Sequence, residues 1–334
     1  MKIIKPLQLK CSSVFAPYIN EYIEQRRAIG FKYNTDVQYL NQFDRFCVEH
    51  NVTVPIVSNE LLTAWLEKYP NEKPTSHYVR SQRTRAFVDY CRNSDIEVTH
   101  TLHPLRNPTS TFTPYIFTHD EIRRLLIATD VVSQKKSKSS SPIIHLVLPL
   151  LFRMLYACGL RITETLLLKN TDVDLEEGVL RLLGTKGEQA RLVPMSESLI
   201  SLCRSYRTNP LVLNFGSEYF FPAPDRGFYD SSTIYARFRE CLFEADISHG
   251  GRGKGPRLHD IRHTFAVHTL DNWVKQGKDL YVCLPILSVY LGHTNGLSST
   301  QQYLRLVPEA YSSLTNSFEA QFSNVFPEVL DETI

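Results

Sequence analysis

Six side chains between residues 161 and 303 are of the types needed to act on a phosphate: Arg161, Lys186, His259, Arg262, His293 and Tyr303. Two guanidiniums can neutralise the non-bridging oxygens of a phosphate by paired hydrogen bonds, and two imidazoles add further donors. An ammonium can deliver a proton to a departing oxygen, and a phenol can be the nucleophile that displaces it. Together the set describes a phosphodiester site. Taken singly, each residue carries less. Arg161, in Ala157-Cys158-Gly159-Leu160-Arg161-Ile162-Thr163-Glu164, reads by itself more readily as an arginine paired with Glu164 three residues on. His259 and Arg262, three apart in Leu258-His259-Asp260-Ile261-Arg262-His263-Thr264-Phe265, face one ligand on a helix or join a surface ion-pair network. His293, in Leu291-Gly292-His293-Thr294, is by itself a histidine at a helix C-terminus. Any one of the 17 tyrosines is more readily a packing residue, but Tyr303, in Thr300-Gln301-Gln302-Tyr303-Leu304, follows His293 closely and precedes an amphipathic tail. His259, His263 and His268 share one segment, yet no Glu or Cys completes a ligand set at standard spacing, so no metal is expected.

These residues need elements to hold them. Gly178 to Gly184 and Gln189 to Pro194 flank Thr185-Lys186-Gly187-Glu188, which predicts a β-hairpin with Lys186 at its tip. Helical spacing covers residues 231–244, 257–274 and 284–291, and a last amphipathic segment carries Ala310, Leu314, Phe318, Phe322 and Val325. The most apolar stretch, residues 143–158, includes His145, Pro149 and Arg153; it is too short for a membrane span and reads as a core helix. Upstream, Thr118-His119-Asp120-Glu121 fits a capping box, with Phe117 and Ile122 as its hydrophobic staple. Gln134 to Ser141, rich in lysine and serine, reads as a surface insertion. Residues 103–111, with two prolines and small polar residues, read as linker sequence, and a domain boundary is expected near 104–115.

Before that linker the spacing is helical almost throughout: Phe15, Tyr18, Ile19, Tyr22 and Ile23; Val37, Leu40, Phe43 and Cys47; Leu61, Leu62, Trp65, Leu66 and Tyr69; and residues 76–92. The expected fold is thus mainly α with a small β-sheet: a helical domain over 1–107, a linker over 108–115 and an α+β domain over 116–334. Basic clusters at Arg80, Arg83 and Arg85, and at Arg26, Arg27 and Lys32, are solvated helix faces or phosphate contacts.

Composition excludes several classes. With 43% hydrophobic and 22% charged residues the chain is neither disordered nor a polybasic tail, and a net charge of +2 decides nothing about nucleic acid. Seven cysteines, spread singly with no C-x-x-C pair, predict reduced, mostly buried thiols rather than a disulfide framework. The N-terminus lacks a signal-peptide pattern, so a cytoplasmic, nucleoid-associated protein without a membrane role is expected.

The motifs together resemble the tyrosine recombinases of the phage-integrase, Xer and Cre type: Ala157 to Glu164, Gly184-Thr185-Lys186-Gly187 with Arg191-Leu192-Val193-Pro194, His259 to Ala266, Leu291-Gly292-His293 and Thr300 to Tyr303, in the family's order. The resemblance implies a helical, SAM-like core-binding domain and a catalytic domain that clamp duplex DNA. It makes Tyr303 the nucleophile that forms a 3′-phosphotyrosine and frees a 5′-hydroxyl, with Arg161, Lys186, His259, Arg262 and His293 activating. Lys186 would protonate the departing oxygen, and Glu164 would orient Arg161. Arg80, Arg83 and Arg85 are expected at phosphates on the helical domain, and Arg252, Lys254 and Arg257 near the cleaved phosphate. The resemblance further implies a homo-tetramer on two DNA sites joined by a C-terminal docking helix, with accessory recombinases or directionality factors as further partners, and neither metal nor other cofactor. The short lead before the first helix argues against an added arm-site domain and favours a simple recombinase of a mobile element, acting in integration, excision or resolution. The interval from His293 to Tyr303 is one residue longer than the family usually shows. A type IB topoisomerase would share the chemistry but relax supercoils as a monomer; a non-catalytic DNA-binding protein would be expected to lack one of the six residues.

Overall fold

The computed structural model describes residues 8–29, 33–94, 96–99, 102–103, 105–108, 113–134, 141–182, 190–224, 227–251, 254–293 and 298–306. The chain divides into two units, Met1–Phe112 and Thr113–Ile334.

The first unit is built from α1 (Ala16–Ala28), α2 (Asn34–Glu49), α3 (Asn59–Leu66) and α4 (Pro74–Arg92). Their apolar positions recur every three or four residues, so each helix turns one stripe inward. Phe15, Ile19, Tyr22, Val37, Leu40, Phe43, Trp65 and Phe87 are buried there. Aromatic rings meet within this core: Phe43 meets Trp65 edge-on with ring centres 5.5 Å apart, and Tyr22 meets Phe87 at 5.7 Å. Such pairs add about 0.5–1.5 kcal/mol each beyond their buried area. Two polar anchors set the packing. Buried Asp44 on α2 accepts the backbone N–H of Ser12 at 2.8 Å and of Ser13 at 3.0 Å, fixing the chain's entry into α1. The Trp65 indole N–H donates to Thr84 Oγ1 at 2.8 Å and pins α3 to α4.

The second unit opens at the expected capping box: Thr118 N donates to Glu121 Oε2 at 2.8 Å and Glu121 N to Thr118 Oγ1 at 3.1 Å. Phe117 and Ile122 are both buried beside it. There α5 (His119–Gln134) begins and packs on α6 (Ile144–Ala157). Helix α6 forms the centre of the core, with Val147, Leu148, Leu151, Phe152, Met154 and Leu155 all buried. Among the described residues no helix is long and apolar enough to cross a membrane.

After α7 (Ile162–Leu166) and a 3₁₀ turn at Asn170–Asp172, β1 (Val173–Asp174), β2 (Val179–Leu182) and β3 (Arg191–Pro194) form an antiparallel sheet in the order β1-β2-β3. Leu180 pairs with Val193 and Leu182 with Arg191. Alternation turns Leu180, Leu182 and Val193 into the core and leaves Arg181 and Leu192 outside. This is the hairpin expected from the sequence; its tip, Lys186 included, lies outside the described residues. Helices α8 (Glu197–Arg207) and α9 (Pro210–Leu213) come in addition to the expected segments. The chain continues through α10 (Ser231–Glu244), α11 (Leu258–Lys275), α12 (Leu280–Leu291) and α13 (Ser298–Gln301). Helix α12 starts at Leu280 rather than at 284, because Asp279 caps it by accepting the Tyr281 N–H at 2.8 Å. Most of the insertion at Gln134 to Ser141, and the tail carrying Ala310, Leu314, Phe318, Phe322 and Val325, lie outside the described residues.

All seven cysteines are free thiols and all but the half-buried Cys11 are buried. Burial pushes Cys47, Cys91, Cys158 and Cys203 up to about 12, which leaves them protonated and inert.

Candidate active site

The polar residues singled out on α7, α11 and the chain after α12 converge on one place. Arg161 caps α7 and Glu164 stands three residues on, so a single turn of helix brings their side chains together. Arg161 Nη1 donates to Glu164 Oε1 at 2.7 Å, and the Arg161 backbone N–H to Oε2 at 3.0 Å. From β3, Arg191 grips the same carboxylate with both ends of its fork, Nη1 to Oε1 at 3.0 Å and Nη2 to Oε2 at 2.8 Å. Burial works to raise the Glu164 carboxyl; the Arg191 guanidinium and the Arg161 backbone N–H more than offset it and hold it below the usual carboxylate range.

The approach to Arg161 depends on Gly159. It has φ of +59°, and a Cβ there would lie 2.3 Å from the ring of Phe265 on α11. Its carbonyl accepts Arg262 Nη1 at 2.8 Å. Arg262 is 1% exposed, and burial followed by the nearby charge of Arg161 lowers it to about 10, so it stays a cation at neutral pH.

Three successive carbonyls at the end of α12 receive three arginines. Tyr290 O accepts Arg191 Nε at 2.9 Å, Leu291 O accepts Arg262 Nη2, and Gly292 O accepts Arg161 Nη2 at 3.2 Å. These belong to the carbonyls a helix end leaves unpaired, at its negative pole. Gly292, with φ of +66°, ends the helix and makes room for Arg191, whose Nη1 would be 2.8 Å from a Cβ there.

Three histidines complete the cluster. His259, in the first turn of α11, is exposed on one side; the protein packed around its other side, then Arg262 and Arg161, lower it to about 4. His293 is half-buried and lowered to about 4 by burial and the same two arginines, and its Nδ1 lies 2.8 Å from Thr300 Oγ1. His263, one turn along α11 from His259, is buried and lowered to about 3 by burial, His259, Arg262 and His293. Its Nδ1 lies 2.9 Å from Tyr303 Oη. Tyr303 is 1% exposed and packs among Ala266, Leu270, Leu284, Leu287 and Leu291, and burial raises its phenol. The centre thus presents three guanidiniums against one carboxylate, neutral imidazoles at neutral pH and a protonated phenol, which is a receptacle for an anion beside a hydroxyl nucleophile.

Arg161, Glu164, His259, Arg262, His293 and Tyr303 are therefore brought together. Lys186 and Arg252 lie outside the described residues, and Lys254 and Arg257 are exposed before α11, where the Arg257 N–H is capped by Asp260 Oδ2 at 2.8 Å. Arg80 departs from expectation. It is 1% exposed, with Nε 3.0 Å from Glu72 Oε1, Nη2 2.9 Å from the Glu67 carbonyl, and its guanidinium over the Tyr69 ring at 4.4 Å. The Glu72 carboxylate neutralises this guanidinium and leaves it no charge for a DNA phosphate, whereas the partners of the equally buried Arg262 include two neutral carbonyls. Arg83 and Arg85 do lie at the surface, beside Asp36 at 3.3 Å and Asp89 at 3.9 Å. His268, considered with His259 and His263 for metal, instead pairs with Tyr156 Oη at 2.9 Å and stacks on His119. Two residues of the centre were not anticipated as site residues, His263 and Arg191. The signals were in view: His263 directly follows Arg262, and Arg191 opens the strand after the Lys186 turn.

The sequence profile of the phage integrase family matches residues 116–309. An integrase/recombinase of Sinorhizobium fredii, y4rB, is 32% identical over 319 residues, spanning 93% of this chain and 99% of the relative. The tyrosine recombinase XerD of Pseudomonas putida is 28% identical over 285 residues, 82% of this chain and 87% of the relative. Among solved structures, the XerH site-specific recombinase in a post-cleavage complex with its palindromic difH substrate superposes with a TM-score of 0.60 at 17% identity, covering 86% of this chain and 79% of that one. A lambda integrase dimer on a COC′ core site gives 0.57 at 16% identity, with 86% and 76% covered. The two structures share the fold, mainly helical with a small sheet.

Proposed function

The chain belongs to the phage integrase family, enzymes that exchange DNA strands, and we propose that it is a site-specific tyrosine recombinase cutting and rejoining DNA through Tyr303. The phenol oxygen attacks the scissile phosphorus, the bond to the 5′-oxygen breaks, and a 3′-phosphotyrosine with a free 5′-hydroxyl results. One phosphodiester replaces another, so the reaction needs no external energy source. Arg161 and Arg262 stabilise the charge on the five-coordinate phosphate, His259 and His293 add hydrogen bonds, and Lys186 protonates the leaving 5′-oxygen. Glu164 and Arg191 hold the fork of Arg161 in register. The observation that carries this reading is the Tyr303 hydroxyl, 2.9 Å from an imidazole of the same helix that bears Arg262.

Arg83 and Arg85 on the first unit, and Arg252, Lys254 and Arg257 on the second, neutralise DNA phosphates. Four copies act on two sites, joined through the C-terminal segment, in the service of a mobile element and with accessory recombinases or directionality factors where direction is controlled. The test is a nicked suicide duplex run on a denaturing gel: the wild type forms a covalent adduct and Tyr303→Phe forms none while still binding DNA. An adduct that survives Tyr303→Phe refutes the assignment.

A further inference from the structure

Recombination through Tyr303 requires that its phenol lose a proton as its oxygen attacks phosphorus. His259 and His293 stand in the same centre, and the geometry favours a third histidine for that task. His293 Nδ1 is turned to Thr300 Oγ1, and the ring centres of His293 and Tyr303 are 6.3 Å apart. His263 Nδ1 is instead within hydrogen-bond distance of the hydroxyl itself, with both side chains buried. A hydrogen bond between two groups withdrawn from water is well oriented and strong.

The charges around His263 decide which way that hydrogen bond runs. From its own helix it faces His259 and Arg262, from the chain after α12 it faces His293, and from the segment after α13 it faces Tyr303. Burial and these neighbours disfavour the imidazolium, so the resting ring is neutral and Nδ1 accepts the phenol O–H. A phosphodiester seated between Arg161, Arg262, His259 and His293 brings a negative charge into the field that suppresses the basicity of His263, and so restores it.

Resting on the reading that Tyr303 is the nucleophile, we propose that His263 is a catalytic residue, the proton acceptor for Tyr303, and that the bound phosphate switches it on. In cleavage the Oη–P bond forms, the P–O5′ bond breaks, the phenol proton moves to His263 Nδ1, and the 5′-oxygen takes its proton from the cationic donor assigned to Lys186. In rejoining, the 5′-hydroxyl attacks phosphorus, the phenolate leaves and recovers its proton from His263. Free enzyme therefore keeps an unreactive phenol, and the nucleophile is generated only where a phosphate is held.

The experiment is single-turnover adduct formation on a nicked suicide duplex, from about pH 5 to 8, with wild type, His263→Ala, His263→Asn and Tyr303→Phe at equal DNA occupancy. The amide of the asparagine keeps a hydrogen-bonding atom near the place of Nδ1 but is not a base. We expect both His263 variants to form adduct about 100-fold or more slowly, the scale of general acid–base catalysis. Both should lose the fall in rate that wild type shows toward acid pH, and imidazole should restore part of the His263→Ala rate. Should the alanine cavity unfold the chain, His263→Gln carries the same expectation. The proposal is overturned by a His263→Asn rate within about three-fold of wild type, or by slowed variants that keep the acid limb. Wild type without a Tyr303-dependent adduct overturns the underlying reading, and this proposal with it; a normal wild-type adduct with an unaffected His263→Asn overturns this proposal alone.

Discussion

Arg191→Met removes the guanidinium that grips Glu164 and leaves the methylene volume of the side chain. Both partners are 8% exposed, so the carboxylate left behind is shielded from water. Breaking a buried pair by deleting one member costs about 3–5 kcal/mol, because the other charge is stranded. Here Arg161 Nη1 and the Arg161 backbone N–H remain on the carboxylate, which places the expected loss at the low end, about 3 kcal/mol. The Tyr290 carbonyl also loses its partner, which works in the same direction. Urea unfolding followed by circular dichroism measures the effect: with a slope of about 3 kcal/mol per molar, the midpoint falls by about 1 M at unchanged slope. Adding Glu164→Gln should return part of the loss, since the stranded charge is gone, giving a coupling of about 1 kcal/mol or more. The pH dependence follows in sign. The Glu164 carboxyl titrates below its unfolded value of about 4.3, so its contribution is present above that pH and lost as pH falls through the lower folded value. The gap between wild type and Arg191→Met therefore narrows in acid. A midpoint unchanged within about 0.2 M, or a double variant that merely sums two losses, refutes the reasoning.

Two further outcomes are expected. Arg80→Met should lower stability with DNA affinity intact, whereas Arg83→Glu should weaken DNA binding and reduce its salt dependence by about one phosphate contact; gel shifts over a salt series separate the two, and a large affinity loss with Arg80→Met would reinstate it as a contact. The buried His263 and half-buried His293 are held at about 3 and 4, below the unfolded value near 6.5. Their unfolded forms take up protons first, so stability is full above about pH 6.5 and falls as pH drops toward 4. Urea midpoints across that window should fall less steeply for His263→Asn; equal slopes would argue against neutral, desolvated imidazoles.

Much of this was legible in the sequence, and for identifiable reasons. Amphipathic spacing located α1 to α4, α6 and α11 because burial imposes a 3.6-residue period, and Thr118 with Glu121 announced α5 because caps are local. The catalytic candidates were legible because Arg161 with Glu164 and His259 with Arg262 are neighbours on single helical turns. Arg80 was misread because its partners, Glu72 and the Glu67 carbonyl, belong to the turn before α4; nothing in the spacing of Arg80, Arg83 and Arg85 says which of them points inward. Arg191 and His263 were passed over as site residues for a related reason. Their meaning lies in contacts with Glu164 and Tyr303, 27 and 40 residues away in sequence, which only the folded chain brings together. The start of α12 was obscured by an apolar run without period, where the cap rather than the pattern sets the boundary.

The three carbonyls at the end of α12 make the centre fail as a whole. Fraying of that last turn takes one support from each of Arg161, Arg191 and Arg262 at once, leaving them on Glu164 and the Gly159 carbonyl, and loosens the peptide that leads into His293. For an enzyme that opens DNA strands, the hazardous condition is a centre able to break a strand and unable to reseal it. Tying the three guanidiniums to one helix end couples their positions, so a disturbance there weakens cutting and resealing alike rather than one of them alone.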